Sequence, residues 1–555
     1  MTLKKRESMT SSMSEKPLVR YPVVIVGAGP TGLTLANLLG REGIRALLIE
    51  RHPSTGREPR AVSLDDESLR TMQTLGLVTK VLKRVVPGYG SHYYSPGGRC
   101  FVRVEPTDTP YGYPRRNAFR QPILERQLRE GLERFSHIET RFGSTLETLT
   151  QNASGVVIGI TGPEGLHTRI VCDYLVGCDG ASSTVRNLLG ISLEGSTFDE
   201  RWLIIDLENS ENPSPHTKVF CDPRRPCVSL PGPDRTHRFE FKLHPHERDE
   251  ALLVPEVIQN LLHSHEADPN STIVRKVVYR FHARLADHWS KDRVFLAGDA
   301  AHLTPPFAGQ GMNSGIRDVH NLAWKLAWVV RGQIGPRILD TYERERRAHT
   351  SAMIRLALQM GTVMAPRHFW SVWAIQNTFR LLGLFPSAQA YVAQMKYKPK
   401  PRFMSGFLFF DGQRKSQTIV GSLFPQPSVE TREGEKVLLD DILGNGFALL
   451  ALTARPDLAF ASTGQPLWSH LDVRRVAVLP LEVPWCDSSG STVVRERDHA
   501  LSVLRAKYTE HLILLRPDHY VAACIPIAEV AQRSDLMNAF LQQTSMLTDE
   551  HVVRE

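Results

Sequence analysis

The chain has 555 residues, 41% of them hydrophobic and 23% charged, with a formal net charge of +8. That length exceeds what one core usually supports, so two or three domains are expected, and the composition excludes long disorder away from the ends. With no dense basic run beyond Lys4-Lys5-Arg6, the mild positive charge leaves no footprint for nucleic acid, although it suits an anionic ligand.

Residues 1 to about 20 read as a flexible, polar tail without the apolar stretch of a signal peptide. Apolar runs such as Leu326 to Val330 are too short to span a bilayer, so no membrane partner is expected. Seven cysteines (Cys100, Cys172, Cys178, Cys221, Cys227, Cys486 and Cys524) form no CxxC pair. Their odd number and spacing argue against a disulfide framework and a metal site, and point to the cytoplasm.

A strand at Val23 to Val26 leads through Gly27-Ala28-Gly29-Pro30-Thr31-Gly32 into a helix from about Thr31 to Glu42, then a strand from Ala46 to Glu50. This β-α-β unit places Gly27 at a tight turn, Gly29 where backbone must approach a pyrophosphate, and Gly32 where helix and strand pack closely. The helix N-terminus offers free N–H groups to phosphate, and Glu50 can accept from ribose hydroxyls. The motif by itself leaves FAD and NAD open.

Short alternating runs from about Val81 to Glu105 and from Trp202 to Leu243 predict antiparallel strands. Between them a strand from Tyr174 to Cys178 ends in Asp179-Gly180, followed by Ser182, Ser183 and Arg186. Read alone, that segment serves a ligand or a helix cap (Asp179 or Ser182) equally well. A further strand from Arg293 to Ala297 delivers Gly298-Asp299, then His302, then Pro306, Gly309, Gln310, Gly311, Met312 and Asn313 at a helix start. Asp299 can bind a polyol hydroxyl, and the two glycines let N–H groups approach a flat ring whose negative edge the helix dipole favours. His302 is expected to shape this loop. Residues 314 to 385 read as mainly helical and Lys398 to Arg402 as a linker. After about Ser416, apolar runs at Phe447 to Leu452, Val476 to Leu479 and Leu512 to Leu515 predict a separate α/β domain.

In this order and at these separations, the three glycine-and-acid motifs resemble the FAD-dependent aromatic hydroxylases, the single-component monooxygenases related to para-hydroxybenzoate hydroxylase. The resemblance implies an α/β fold: a Rossmann-like FAD domain of the glutathione-reductase type, discontinuous over about 21–90, 110–200 and 280–400. A mixed-sheet substrate domain is inserted at about 91–109 and 201–279, and a thioredoxin-like domain follows at 416–545. It implies that Gly27, Gly29, Pro30, Thr31, Gly32, Glu50, Arg51, Asp179, Gly180, Asp299 and the loop from Pro306 to Asn313 bind the cofactor. Arg60 of Glu58-Pro59-Arg60-Ala61 resembles an arginine near the pyrophosphate and flavin, and Gln121 a ligand of the ribityl chain.

The implied reaction is hydroxylation of a phenolic ring with NADH or NADPH and O2. Further segments resemble the branch acting on 3-(3-hydroxyphenyl)propionate and 3-hydroxycinnamate: Asp65-Asp66-Glu67, Pro114 to Phe119, Arg238 to Phe241, Asn321 to Leu326 and Arg516-Pro-Asp518. The implied partners are a small anionic phenol, O2 and a second copy of the chain in a homodimer. The alternatives are another phenol, a resorcinol or a polyketide as substrate, or a flavin-dependent reductase or halogenase; no Trp-x-Trp-x-Ile segment supports the last. For the substrate pocket, Tyr279, His282 and Arg284 precede the third motif, and Arg225 and Arg238 are candidates to pair with a carboxylate.

Overall fold

The computed structural model describes residues 19–544 apart from 57, 212–213, 415–416 and 487. The expected tail over residues 1 to 20 lies outside the described residues except for Val19 and Arg20, which open the first strand.

Val19–Val26 lies between Ala46–Glu50 and His167–Gly177, parallel to both. Its apolar run has no exposed face in the middle, as a central strand covered on both sides requires. The helix Pro30–Arg41 makes the crossover. Val294–Leu296 extends the sheet beyond His167–Gly177, and Ile138–Phe142 extends it beyond Ala46–Glu50. The expected strands thus form one doubly covered sheet, and their C-terminal ends bring the three motifs to one edge.

A second eight-stranded sheet runs in the order His302–Leu303, Thr272–Ala286, Leu193–Glu208, His237–Lys242, Cys227–Pro231, Thr217–Phe220, Ser91–Tyr94, Cys100–Val104. The boundaries expected at 201 and 279 fall inside Leu193–Glu208 and Thr272–Ala286. These are strands of 16 and 15 residues, so both expected boundaries fall mid-strand. A register shift between Thr197 and Arg201 interrupts the alternation that would mark their full length.

The C-terminal sheet runs Lys436–Leu438, Ser428–Glu430, Thr492–Glu496, Arg474–Leu479, Ala448–Ala451, His511–Leu515, Val521–Pro526. It is fastened to the rest by a buried ionic cluster. Glu345, on the helix Thr341–Met364, accepts from Lys325 Nζ at 2.6 Å and from both Arg516 terminal nitrogens at 2.8 Å. Arg516 also pairs with Asp518, and Asn321 donates to both Glu345 and Asp518. Two segments far apart in sequence, around Asn321 and Arg516, thus meet in one network.

Burial would raise the Glu345 carboxyl, but Arg516 and Lys325 outweigh it and hold it at about 2. A depressed carboxylate stabilises the fold above its ordinary value of 4.5, and that contribution is lost as pH falls toward 2. Replacing Glu345 by Ala leaves buried Lys325 without a counterion and Arg516 with Asp518 alone. A loss of about 3–5 kcal/mol is expected, read from urea unfolding at neutral pH. The difference between wild type and variant should shrink as the titration is repeated toward pH 2.

Candidate active site

Close backbone packing comes first. Gly27 has φ +105°, and a Cβ there would sit 2.5 Å from the Cys178 carbonyl oxygen; a Cβ on Gly32 would sit 1.9 Å from the Gly27 oxygen. Only glycine lets the helix Pro30–Arg41 start so close to the strand ends. The same device brings in the helix Gly311–Val330: Cβ atoms on Gly298 and Gly315 would meet Thr31 Oγ1 at 2.6 and 2.4 Å. Two helix N-termini therefore open on one space. At its edge Gly29 and Gly311 have nothing within 4 Å of a would-be Cβ.

That space is a cavity of about 360 Å³. Gly29, Pro30, Thr31, Arg60, Gln121, Gly180, Asp299, Pro306, Gly309, Gln310, Gly311 and Met312 all line it, although their segments span nearly 300 residues of sequence. Asp299 opens into the cavity while the protein encloses it, and this burial raises its carboxyl above the ordinary range. The open glycines, two positive helix ends and a polyol-binding carboxylate fit a dinucleotide flavin.

Several cofactor candidates are engaged within the protein itself. Glu50 accepts from Ala28 N–H at 2.8 Å and His52 N–H at 2.9 Å, so one oxygen already braces the glycine turn. Arg51 is exposed just beyond it. Asp179 accepts from Ser183 Oγ at 2.5 Å and Val185 N–H at 3.1 Å, bracing the helix Thr184–Leu188, whose N-cap is Ser183, accepting from Arg186 N–H. Asn313 is saturated: it accepts from Asp65 N–H and Ser68 Oγ, and donates to the Ser63 and Gly309 oxygens. It positions the loop and leaves ligand contact to its neighbours. Gln121 lines the cavity but accepts from Ala61 N–H at 2.7 Å and donates to Glu125 at 2.8 Å, tying the Arg60 segment to its helix.

His302 shapes the loop, as expected. Its Nε2 lies 2.6 Å from Asp318, which also accepts from Gly298 N–H and Arg346 Nε. Burial opposes that charge, yet His302 and Arg346 hold the Asp318 carboxyl down at about 2.

The substrate-pocket candidates are dispersed. His282 and Arg284 both meet Thr197 Oγ1, and Tyr279 Oη meets Arg275; none of the three lines the cavity. Arg225 is held at 2.8 and 2.6 Å by Glu247, also away from it. Arg238 does line the cavity, but Asp206 neutralises it at 2.6 Å and it donates to the backbone oxygens of Pro59 and Arg60. These pairings explain the dispersal: Arg225 and Arg238 found local carboxylates and carbonyls, and Arg284 a hydroxyl, that strand alternation could not reveal.

The floor of the cavity is two transverse rows of the second sheet. Paired residues Tyr93, Val219, Val228 and Glu240 form one row. Ser91, Thr217, Leu230 and Arg238 lie beside them. Four strands make the floor about 14 Å wide. Met353, Leu356, Met360 and Met364, on one face of the helix Thr341–Met364, supply an apolar wall.

Residues 20–357 match the family model described as an FAD binding domain, and residues 421–540 the one described as the HcaD C-terminal domain. A 3-(3-hydroxy-phenyl)propionate/3-hydroxycinnamic acid hydroxylase of Mycolicibacterium smegmatis is 40% identical, covering 94% of this chain and 92% of its own. The protein of that name from Klebsiella pneumoniae is 38% identical, covering 93% and 94%. The chain belongs to this family of FAD-binding hydroxylases.

Among solved structures, the flavin-dependent monooxygenase PieE shares the fold with TM-score 0.79 at 23% identity, covering 95% of this chain and all of that one. Aklavinone-11 hydroxylase, solved with FAD and aklavinone, gives TM-score 0.74 at 25% identity, covering 95% and 99%. The hydroxylase is a flavoprotein monooxygenase. Among its described residues no helix is long and apolar enough to cross a membrane.

Sequence reasoning missed Tyr89, Tyr93, Arg116, Glu240, Tyr397 and the methionine wall of this hydroxylase. The spacing of Met353, Leu356, Met360 and Met364 was a usable signal: an apolar helical stripe rich in thioethers, suited to an adaptable pocket.

Gly27→Ala in the hydroxylase is expected to cost about 1–3 kcal/mol of backbone strain. It should also yield protein with little bound flavin, measured as the visible-to-ultraviolet absorbance ratio after purification. A variant as yellow as wild type would mean that the turn tolerates a side chain.

Proposed function

We propose that the hydroxylase converts 3-(3-hydroxyphenyl)propionate, and 3-hydroxycinnamate, to the 2,3-dihydroxy catechols with NADH or NADPH and O2, in the cytoplasm. The observation that carries the reading is one cavity joining two helix N-termini to an apolar methionine wall and a tyrosine-bearing floor, in a chain 40% identical to relatives of that name. Seven free cysteines suit a reducing compartment.

The Gly29 and Gly311 helix ends, with Asp299 and Arg60, would hold FAD, which would supply electron transfer from the nicotinamide and activation of O2 toward an electron-rich ring. The chain's own part is placement and proton control. The Gly311 helix end offers partial positive charge to the cofactor's anionic edge. The methionine wall and Phe307 keep water from the reacting ring. A phenol oxygen that gives up or shares its proton activates the ring. Burial holds the Glu240 carboxyl above the ordinary range despite Arg238, which suits a group that accepts and returns that proton.

The C-terminal unit is read as thioredoxin-like. Its core order Arg474–Leu479, Ala448–Ala451, His511–Leu515, Val521–Pro526 has one parallel pair followed by two antiparallel pairs, and a final helix Val530–Gln543. A homodimer is supported by the exposed side chains of Phe369, Trp370, Trp373 and Phe385, which a second copy would cover.

The test follows NADH oxidation, O2 uptake and product mass together with 3-(3-hydroxyphenyl)propionate. Stimulated oxidation with a product one oxygen heavier is expected. Stimulation that yields only H2O2 would reject this compound as the substrate. Glu240→Gln is expected to lower kcat by about 10²–10⁴-fold with little change in KM, checked by steady-state kinetics across pH; an unchanged kcat would remove Glu240 from proton transfer.

A further inference from the structure

The cations on the cavity wall are unequally compensated. Arg238 is neutralised by Asp206, and Lys398 donates to Asp65 and Glu67 at 3.1 Å. Arg60 sits at the cofactor end. Arg116 is different. Its guanidinium donates to Ser91 Oγ and lies over the Tyr89 ring, 4.3 Å from the centroid, and among the described residues no carboxylate forms an ion pair with it. The adjacent Arg115 does not line the cavity and is gripped by Asp108 at 2.5 and 2.8 Å. Of two consecutive arginines, one is paired away from the cavity and the other faces it uncompensated.

The groups around Arg116 cannot supply the missing charge. Burial raises the phenols of Tyr93 and Tyr397, so both stay neutral donors. A guanidinium remains protonated under all ordinary conditions, and a half-buried one without a counterion is costly. An anionic ligand group entering the cavity would relieve that cost and find tyrosine, serine and guanidinium donors together.

The position sets the length of such a ligand. In the strand pairing Asp65 lies opposite Arg116 and Ser63 opposite Ala118. A Cβ on Gly309 of the flavin-ring loop would lie 3.2 Å from the Ser63 Cβ. Two extended residues, about 7 Å along the strand, and one interstrand step of about 5 Å therefore separate Ser63, beside the ring loop, from Arg116. A ring beside that loop reaches Arg116 only through a short arm.

Building on the proposed function, we infer that Arg116 is the carboxylate anchor of the substrate site, with Ser91, Tyr89, Tyr93 and Tyr397 around it, and selects aromatic rings bearing a carboxylate on a short alkyl arm. The anchor lies beside Ser91, three strands across the floor from the Arg238 that the sequence suggested for that job.

The test titrates the oxidised holoenzyme, without nicotinamide, with 3-(3-hydroxyphenyl)propionate and with 3-propylphenol, which keeps ring and arm but lacks the charge. Binding is read from the visible spectrum of bound FAD. Wild type is expected to bind the propionate at least about 30-fold more tightly than the propylphenol. The gap should collapse in Arg116→Met, through weaker propionate binding alone, and be partly kept in Arg116→Lys. Equal affinities in wild type, or equal weakening of both ligands in Arg116→Met, would overturn the inference. Loss of FAD from the variants would also overturn it, by placing Arg116 in the cofactor site. If Arg116→Met does not fold, the wild-type pair and Arg116→Lys decide. A propionate that binds tightly yet is not hydroxylated would reject the proposed reaction and leave the anchor standing; no binding of either ligand would reject both.

Discussion

Two helix N-termini can share one cavity because glycines stand where the chain segments press together. Gly32 lies against Gly27, and Thr31 fills the space left by Gly298 and Gly315. Any Cβ at these crossings would push a helix outward and separate the positive ends that face the cofactor space. The rest of the site is hung on the second of those helices. Along Gly311–Val330, Asn313 fixes the Ser63 strand, Arg317 reaches Gln310 and Asp65, Asp318 fixes Gly298 and His302, and Asn321 and Lys325 hold Glu345. One helix is thus registered at five successive levels, from the ring loop to the C-terminal domain.

Buried ion pairs of this kind add little net stability over well-packed apolar groups, but each allows only one register. That is the role they serve here. The Glu345 cluster seats the C-terminal sheet. Lys398, pinned by Asp65 and Glu67 in what composition marks as a linker, holds the neighbouring Tyr397 in the cavity wall. The C-terminal domain therefore contributes to the pocket through its tether, with no residue of its own sheet in the lining.

The parallel sheet, its glycine turn and the Gly298-Asp299 loop were legible because their chemistry is local. A glycine with positive φ at a strand end, or a helix start with no side chain, is written in a few consecutive residues. The long strands Leu193–Glu208 and Thr272–Ala286 were seen only in part, since a bulge breaks the alternation. The polar side of the pocket was illegible for a different reason. Whether Arg225, Arg238, Arg115 or Arg116 is free depends on whether Glu247, Asp206 or Asp108 folds against it, and that pairing is tertiary. The Asp179 segment read equally as cap or ligand; Ser183 is the cap, Asp179 braces the same helix through Val185 N–H, and Gly180 beside it lines the cavity.

The most direct measurement is a crystal structure of the holoenzyme with 3-(3-hydroxyphenyl)propionate bound. The account predicts the flavin ring against the loop from Pro306 to Met312, and the aromatic ligand in the same cavity between the methionine wall and the Tyr93 row. A ligand bound elsewhere on the protein, or a flavin ring seated away from the Gly311 helix end, would contradict it.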